Sequence, residues 1–323
     1  MPIARSASPT SRASRGAHSG PGHTSVSAAR IWIMAARVRT LPAAIAPVLV
    51  GTSLALGAGV FHPLAFVAAL LGAVFIQVGT NLSNDYSDAR RGADTEDRLG
   101  PVRVTAGGLV PPRQVLLATY VTFGLAVGCG AYLVAVAGWE LLAVGAASIL
   151  AGVLYTGGPR PYGYEGLGEV FVFLFFGIVA VAGSYFVQIQ HLPWQAFVCA
   201  VPVGLLASAI LVVNNVRDID TDRRAGKRTL AVRLGRERTR TLYTAMIAGA
   251  FVTAPLPWAF GSMDAWLLLS WLAIPLAVGV VRTVRTRTDG PALNGALAKT
   301  GATQLLFCLL YSAGILAAGG VGS

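Results

Sequence analysis

The sequence predicts an all-α protein, a polytopic membrane bundle of nine transmembrane helices with Asp-rich cytoplasmic loops. Three observations carry this expectation. Charged residues make up 12% of the 323 residues, against 54% hydrophobic, and the mean hydropathy is +0.64. Soluble domains carry roughly 25% charged residues, so a water-soluble globule is excluded, as is a disordered or collagen-like chain. Nine apolar runs without Asp, Glu, Lys or Arg follow one another along the chain. Finally, all 25 Lys and Arg fall before the first run or in alternate connections between the runs.

Residues 1–30 are rich in Ser, Arg, Pro and Gly and hold no acidic residue and no apolar h-region. They read as a disordered cytoplasmic arm, not a secretory signal, and the membrane domain takes up 31–323. A bilayer core of about 30 Å needs roughly 20 apolar residues per helix. The runs that meet or approach this length are 41–60, 62–80, 114–139, 141–155, 170–188, 194–213, 241–262, 265–281 and 300–321. The first two divide at Phe61-His62-Pro63, and the fifth and sixth at His191-Leu192-Pro193.

The basic residues set the orientation. Residues 1–40, before the first run, hold six of them, and the connections after the second, fourth, sixth and eighth runs hold five, one, nine and four. The opposite face carries only Glu140, His191 and Asp264 as polar landmarks. The positive-inside rule then places the N-terminus in the cytoplasm and the C-terminus outside a cell membrane. The net charge of +11 is accordingly a matter of topology, lipid headgroups and bound anions, with no nucleic-acid partner. Cys129, Cys199 and Cys308 lie inside apolar runs, which implies neither a disulfide framework nor a CxxC metal site.

The chemistry-bearing residues gather on the cytoplasmic side. After the second run comes NLSNDYSDARRGADTEDRLGPVRVTAGG, residues 81–108. No Pro interrupts its start, so the helix is expected to continue into it. At helical spacing Asn81, Asn84 or Asp85, and Asp88 share a face; Asp94 and Asp97 follow a turn at Gly92. The sixth run ends in VVNNVRDIDTDRRAGKRTLAVRLGRE, where Asn214, Asp218 and Asp222 line one stripe and Asp220 points elsewhere. Rows of oxygen donors suit Mg²⁺, which takes a few carboxylates together with substrate phosphates. Arg90, Arg91, Arg98 and Arg103 attend the first row, and Arg217, Arg223, Arg224, Lys227 and Arg228 the second. Such cations bind phosphate oxygens.

A third passage, YTGGPRPYGYEGLGE at 155–169, is aromatic and rich in Gly and Pro. Tyr155, Tyr162 and Tyr164 can face a developing carbocation, because ring faces attract cations; an interfacial aromatic belt is the other reading. Asn294, Lys299 and Gln304 are weaker polar candidates. A metal-and-phosphate site at the mouth of an apolar bundle points to a diphosphate with an isoprenoid tail. Its departure would be stabilised electrostatically, leaving an allylic cation shielded from water.

At these residues the sequence resembles the UbiA superfamily of intramembrane aromatic prenyltransferases over about residues 30–320. The family's NDxxD motif is matched by Asn84-Asp85-Tyr86-Ser87-Asp88 and its DxxxD motif by Asp218 to Asp222. The passages at 39–51, 84–101, 155–169 and 214–235 are most similar to the 1,4-dihydroxy-2-naphthoate polyprenyltransferases of menaquinone biosynthesis. The resemblance implies nine transmembrane helices and Mg²⁺ held by Asn81, Asn84, Asp85, Asp88, Asp94, Asn214, Asp218 and Asp222. It implies catalytic roles for Asp85, Asp88, Asp218, Asp222 and Tyr155. Arg39, Arg91, Arg98, Arg103, Arg160, Tyr162, Arg217, Lys227 and Arg228 form the expected substrate-binding set. The expected substrates are polyprenyl diphosphate and 1,4-dihydroxy-2-naphthoate, the latter losing its carboxylate as carbon dioxide to give demethylmenaquinone. Gly92 stands where the wider superfamily has a third Asp, and Asn214 where the second motif has its earliest acid.

Prenyl transfer to another aromatic quinone precursor is the neighbouring alternative. A membrane transporter is the alternative from another class, but an ion relay places acids at mid-span, whereas here the runs are free of charge. The DGxxAR-centred motif of CDP-alcohol phosphotransferases is missing.

Overall fold

The computed structural model describes residues 27–93 and 99–319. Asp94, Asp97 and Arg98, and most of the predicted arm, lie outside the described residues. Among the described residues all regular structure is helical. Helix α1 (Ala28–Ala36) takes in the last three residues of the predicted arm, with Ser27 as its cap: Arg30 N–H donates to the Ser27 hydroxyl. It ends at Arg37, whose φ of 52° is left-handed. One 3₁₀ turn later α2 (Pro42–Gly57) sets off at 52° to the preceding segment. There follow α3 (Pro63–Arg90), α4 (Pro112–Ala137), α5 (Glu140–Leu154) and α6 (Gly168–Ile189). The chain closes with α7 (Trp194–Arg224), α8 (Arg236–Thr253), α9 (Ala265–Thr286) and α10 (Gly290–Ala317). Pro stands in the first turn of α2, α3, α4 and α10, where its missing N–H costs nothing.

Six helices, α3, α4, α6, α7, α9 and α10, are long and apolar enough to cross a membrane. The bent pair of α1 and α2 makes a seventh if it acts as one span. This is a multi-pass membrane protein. Helical segments underlie all nine apolar runs, but two of the runs are weaker than the sequence suggests. Helix α5 has only 15 residues, and α8 opens with four charges, Arg236, Glu237, Arg238 and Arg240, in its first five residues.

The Asn and Asp stripes sit on helix ends, as their spacing predicts, so these parts of the Asp-rich segments are helical. Helix α3 has 28 residues and α7 has 31. At 1.5 Å per residue that is about 42 and 46 Å, longer than a hydrocarbon core of about 30 Å. Charge ends the membrane-embedded stretch but not the helix, whose backbone bonds are satisfied internally. The overshoot of each helix therefore carries its Asn and Asp residues.

Helix α7 is the centre of the bundle; 72% of its apolar window is buried. Its Val203, Leu206 and Val213 pack with Leu54 of α2, Tyr185 of α6, Tyr243 of α8 and Phe307 and Tyr311 of α10. Close approach of α6 to α7 rests on glycine: a Cβ at Gly177 would lie 2.6 Å from Gly204 Cα. Gly177 falls within a π-helical stretch, Phe173–Val179, a widened turn of the kind found at functional sites. A smaller cluster joins Ala35 of α1, Leu82 of α3, Val104 and Val110 of the next connection and Val115 of α4.

Candidate active site

A cavity of about 690 Å³ opens between these helices. Its deep walls are apolar, with Ala73 and Ile76 from α3, Val134 from α4, Ile149 from α5 and Val179 from α6. Its mouth is polar and is built where the overshooting ends of α3 and α7 meet. Asn81, Asn84 and Asp88 face it from α3, and Asn214, Asn215, Asp218 and Asp222 from α7. The connections add Arg103, Thr156, Tyr164, Lys227 and Thr229.

The two Asp motifs share one cation. Lys227 Nζ lies 3.6 Å from Asp88 Oδ2 and 3.9 Å from Asp222 Oδ1. It also stands 4.8 Å from the centre of the Tyr164 ring. Asp88 is 1% exposed and accepts two further bonds, from Arg103 at 2.9 Å and from the Tyr164 hydroxyl at 2.6 Å. Asn84 Oδ1 accepts from Thr156 at 2.8 Å. Asn81 Nδ2 donates to Ala36 O and Thr40 Oγ1, tying α3 to the bend between α1 and α2.

On α7, Arg217 grips Asp218 with two bonds, 2.7 and 2.5 Å. The same guanidinium donates to Asn214 Oδ1 at 2.9 Å and Asn294 Oδ1 at 2.6 Å. Asn294 Nδ2 in turn donates to Leu99 O at 2.9 Å. Arg217 is itself off the cavity wall and 2% exposed. Its bonds hold Asp218 in place from behind, a different task from the expected substrate contact.

Asp85 also departs from expectation. Its two oxygens accept from the backbone N–H groups of Val104 and Thr105, at 3.1 and 3.0 Å. It is buried but does not line the cavity. Asp85 thus folds the 99–111 connection back over α3, and this delivers Arg103 to Asp88. Arg39 is exposed and off the wall; Arg37, two residues earlier, lines the cavity instead. Arg91, Arg160 and Arg228 are exposed at the rim. Arg91 donates to Gly158 O, Arg160 pairs with Glu165 at 3.4 Å, and Arg228 N–H donates to Tyr164 O at 2.9 Å. Asp220 pairs with Arg236 at 2.9 Å, away from the cavity as its spacing implies. Lys299 is exposed and Gln304 fully buried outside the cavity wall.

Below the polar mouth runs an aromatic wall. Tyr155 meets Tyr162 edge-on at 5.5 Å, and Tyr162 stacks on Phe171 at 4.0 Å. The Tyr162 hydroxyl donates to Ala151 O at 2.8 Å, and burial pushes its phenol well above the ordinary value, so the ring stays neutral. Tyr164 is engaged by Asp88 and Lys227, while Tyr155 and Tyr162 line the cavity together with Phe171, Phe175 and Phe176.

The donors at the mouth are all oxygen, which suits a hard cation and not a soft one. Among the described residues no three His, Cys, Asp or Glu converge on a point. A Mg²⁺ ion would therefore draw on amide, water and diphosphate oxygens beside the carboxylates, which is its usual habit. Thr156 and the pairing of Asn215 with Glu169 escaped the sequence reading. Asn215 had a signal, since it lies three residues before Asp218 on the same face; Thr156 had none.

Residues 44–300 match the UbiA prenyltransferase family. A 1,4-dihydroxy-2-naphthoate octaprenyltransferase of Mycobacterium tuberculosis is 43% identical over 89% of this chain and 97% of its own length. The enzyme of that name from Escherichia coli is 40% identical over 90% and 96%. In architecture the chain is similar to a UbiA homolog from Archaeoglobus fulgidus bound to DMAPP and Mg²⁺, with a TM-score of 0.65 and 16% identity over 88% of this chain and 99% of that one. The chain belongs to the UbiA prenyltransferase family.

Proposed function

We propose that the protein transfers a polyprenyl group from polyprenyl diphosphate to 1,4-dihydroxy-2-naphthoate. The ring carboxylate leaves as carbon dioxide, the diphosphate departs, and the product is the quinol, demethylmenaquinol. One observation carries the reading: Asp88 and Asp222, from two distant motifs, share Lys227 at the polar mouth of an otherwise apolar cavity. The names of the relatives at 40–43% identity support the choice of acceptor.

Asn84, Asp88, Asn214, Asp218 and Asp222 would hold Mg²⁺, which neutralises charge on the departing diphosphate. Asn81 supports this set from the wall; Asp94 stays a candidate on motif grounds alone. Arg103 and Lys227 are already at the mouth and would bind diphosphate oxygens. The isoprenoid tail lies along the apolar wall. Tyr155 and Tyr162 face the allylic cation and, with Phe171, exclude water from it. The whole chain crosses the cell membrane nine times with the site and N-terminus cytoplasmic and the C-terminus outside. The exposed Leu117, Val121 and Leu125 of α4 and Leu150 of α5 would meet lipid.

Purified protein given Mg²⁺, labelled polyprenyl diphosphate and dihydroxynaphthoate is expected to form a prenylated naphthoquinol. A folded protein that prenylates 4-hydroxybenzoate or homogentisate but not dihydroxynaphthoate overturns the choice of ring. One that prenylates none of them overturns the reaction class.

A further inference from the structure

Asn215 lines the cavity, and its Nδ2 donates to Glu169 Oε1 at 2.9 Å. Glu169 stands in the first turn of α6, 4% exposed, and is not part of the cavity wall. It is pinned to α7 a second way, because Ser208 Oγ donates to its backbone carbonyl at 3.1 Å. Its other carboxylate oxygen, Oε2, is buried without a hydrogen-bond partner. A half-satisfied buried carboxylate costs stability and calls for an explanation beyond packing.

A carboxylate only accepts, so it selects the NH₂ end of the amide. The Oδ1 end of Asn215 is thereby turned away from Glu169. We propose that Glu169 is a positioning residue that fixes Asn215 so that its Oδ1 accepts a hydrogen bond from a ring hydroxyl of the aromatic acceptor. This rests on the proposed prenylation of a hydroxyaromatic ring.

Direction on the helix favours the acceptor over the diphosphate as the partner: Asn214 Oδ1 is held by Arg217 on the Asp218 side, whereas Asn215 is held on the α6 side by Glu169. Asn215 lies seven residues, or about 10 Å of helix, deeper along α7 than Asp222, which shares Lys227 with Asp88. A diphosphate held at that mouth directs its first prenyl carbon inward, toward the level of Asn215. Tyr155 borders the same place: a Cβ on Gly168, the neighbour of Glu169, would lie 3.2 Å from the Tyr155 ring. A ring hydroxyl that donates to an amide oxygen also gains electron density, which raises the nucleophilicity of the ring carbon.

The test is steady-state kinetics on the full-length protein in detergent, with each substrate varied in turn. Asn215→Ala is expected to raise KM for dihydroxynaphthoate about tenfold and to leave KM for polyprenyl diphosphate within about twofold. Glu169→Leu should do the same, and Glu169→Gln, which keeps an acceptor for Asn215 Nδ2, should restore most of the loss. Methyl ethers of either acceptor hydroxyl supply the second arm. One of them should bind wild type about tenfold more weakly yet lose nothing further in Asn215→Ala. Asn215→Ser serves if the Ala variant does not fold. Equal shifts in both KM values, or equal losses for hydroxyl and ether acceptors, overturn the proposal. Wild type that makes no prenylated naphthoquinol overturns the reading it rests on as well, so the two failures are distinct.

Discussion

Asp85 and Asp88 stand three residues apart and have different occupations. Helical periodicity put both on the cytoplasmic face of α3, since residues three and four apart are neighbours there. What separates them is the 99–111 connection, which takes both oxygens of Asp85 and leaves Asp88 at the cavity. No local pattern reveals that long-range choice. The consequence is a pair of contrasting variants. Asp88→Asn, which keeps an oxygen acceptor for Arg103 and the Tyr164 hydroxyl, should lower kcat by about 100-fold or more, as loss of an electrostatic group does, with a smaller fall in melting temperature than Asp85→Ala. Asp85→Ala strands two buried N–H groups and should cost about 2 kcal/mol of stability, read as a lower melting temperature and faster proteolysis near residue 104. A reversal of these two phenotypes would refute the division of labour. Arg39 and Arg37 teach a similar lesson. The left-handed backbone at Arg37 is uncommon for a residue with a side chain, and it decides which of the two arginines lines the cavity.

At the scale of the element, the sequence located the apolar runs and the Pro-marked breaks between them. It also signalled that α3 continues past Thr80, because no Pro or Gly interrupts the chain until Gly92. It did not reveal the lengths of α3 and α7 as helices. Charge counts mark where the lipid ends, and a helix is indifferent to that boundary. Nor did it reveal the π-helical turn of α6, which depends on how tightly α6 presses on α7. That contact gives a direct test. Gly177→Leu places side-chain atoms where Gly204 already lies, and overpacking of this kind costs about 1–3 kcal/mol. Its melting temperature should fall, whereas Gly279→Ala, on α9 with no atom within 4 Å of its added Cβ, should melt like wild type. Equal melting of the two variants would mean that α6 and α7 are not in close contact.

For the whole molecule, the sequence feature of widest reach is the distribution of the 25 basic residues. It predicts a topology, and the structure places the Asp-bearing ends of α3 and α7 beside Arg103, Lys227 and Arg236 at one end of the bundle. Trp139, between α4 and α5, is 74% exposed and should lie outside the cell. In a background with Cys129→Ser, Trp139→Cys is expected to react with a membrane-impermeant thiol reagent on intact cells. Arg223→Cys should react only after the membrane is opened; the opposite pattern would invert the proposed orientation.

In the proposed reaction the cavity joins a diphosphate mouth to an aromatic acceptor, and the ring loses its carboxylate as the prenyl chain arrives. This coupling is tested most directly by counting two products of one reaction. Dihydroxynaphthoate labelled in its carboxylate is incubated with the purified protein, Mg²⁺ and polyprenyl diphosphate. One labelled carbon dioxide is expected for each prenylated naphthoquinol, and neither product from Asp88→Ala. A prenylated ring that keeps its label, or unimpaired turnover by Asp88→Ala, would contradict it.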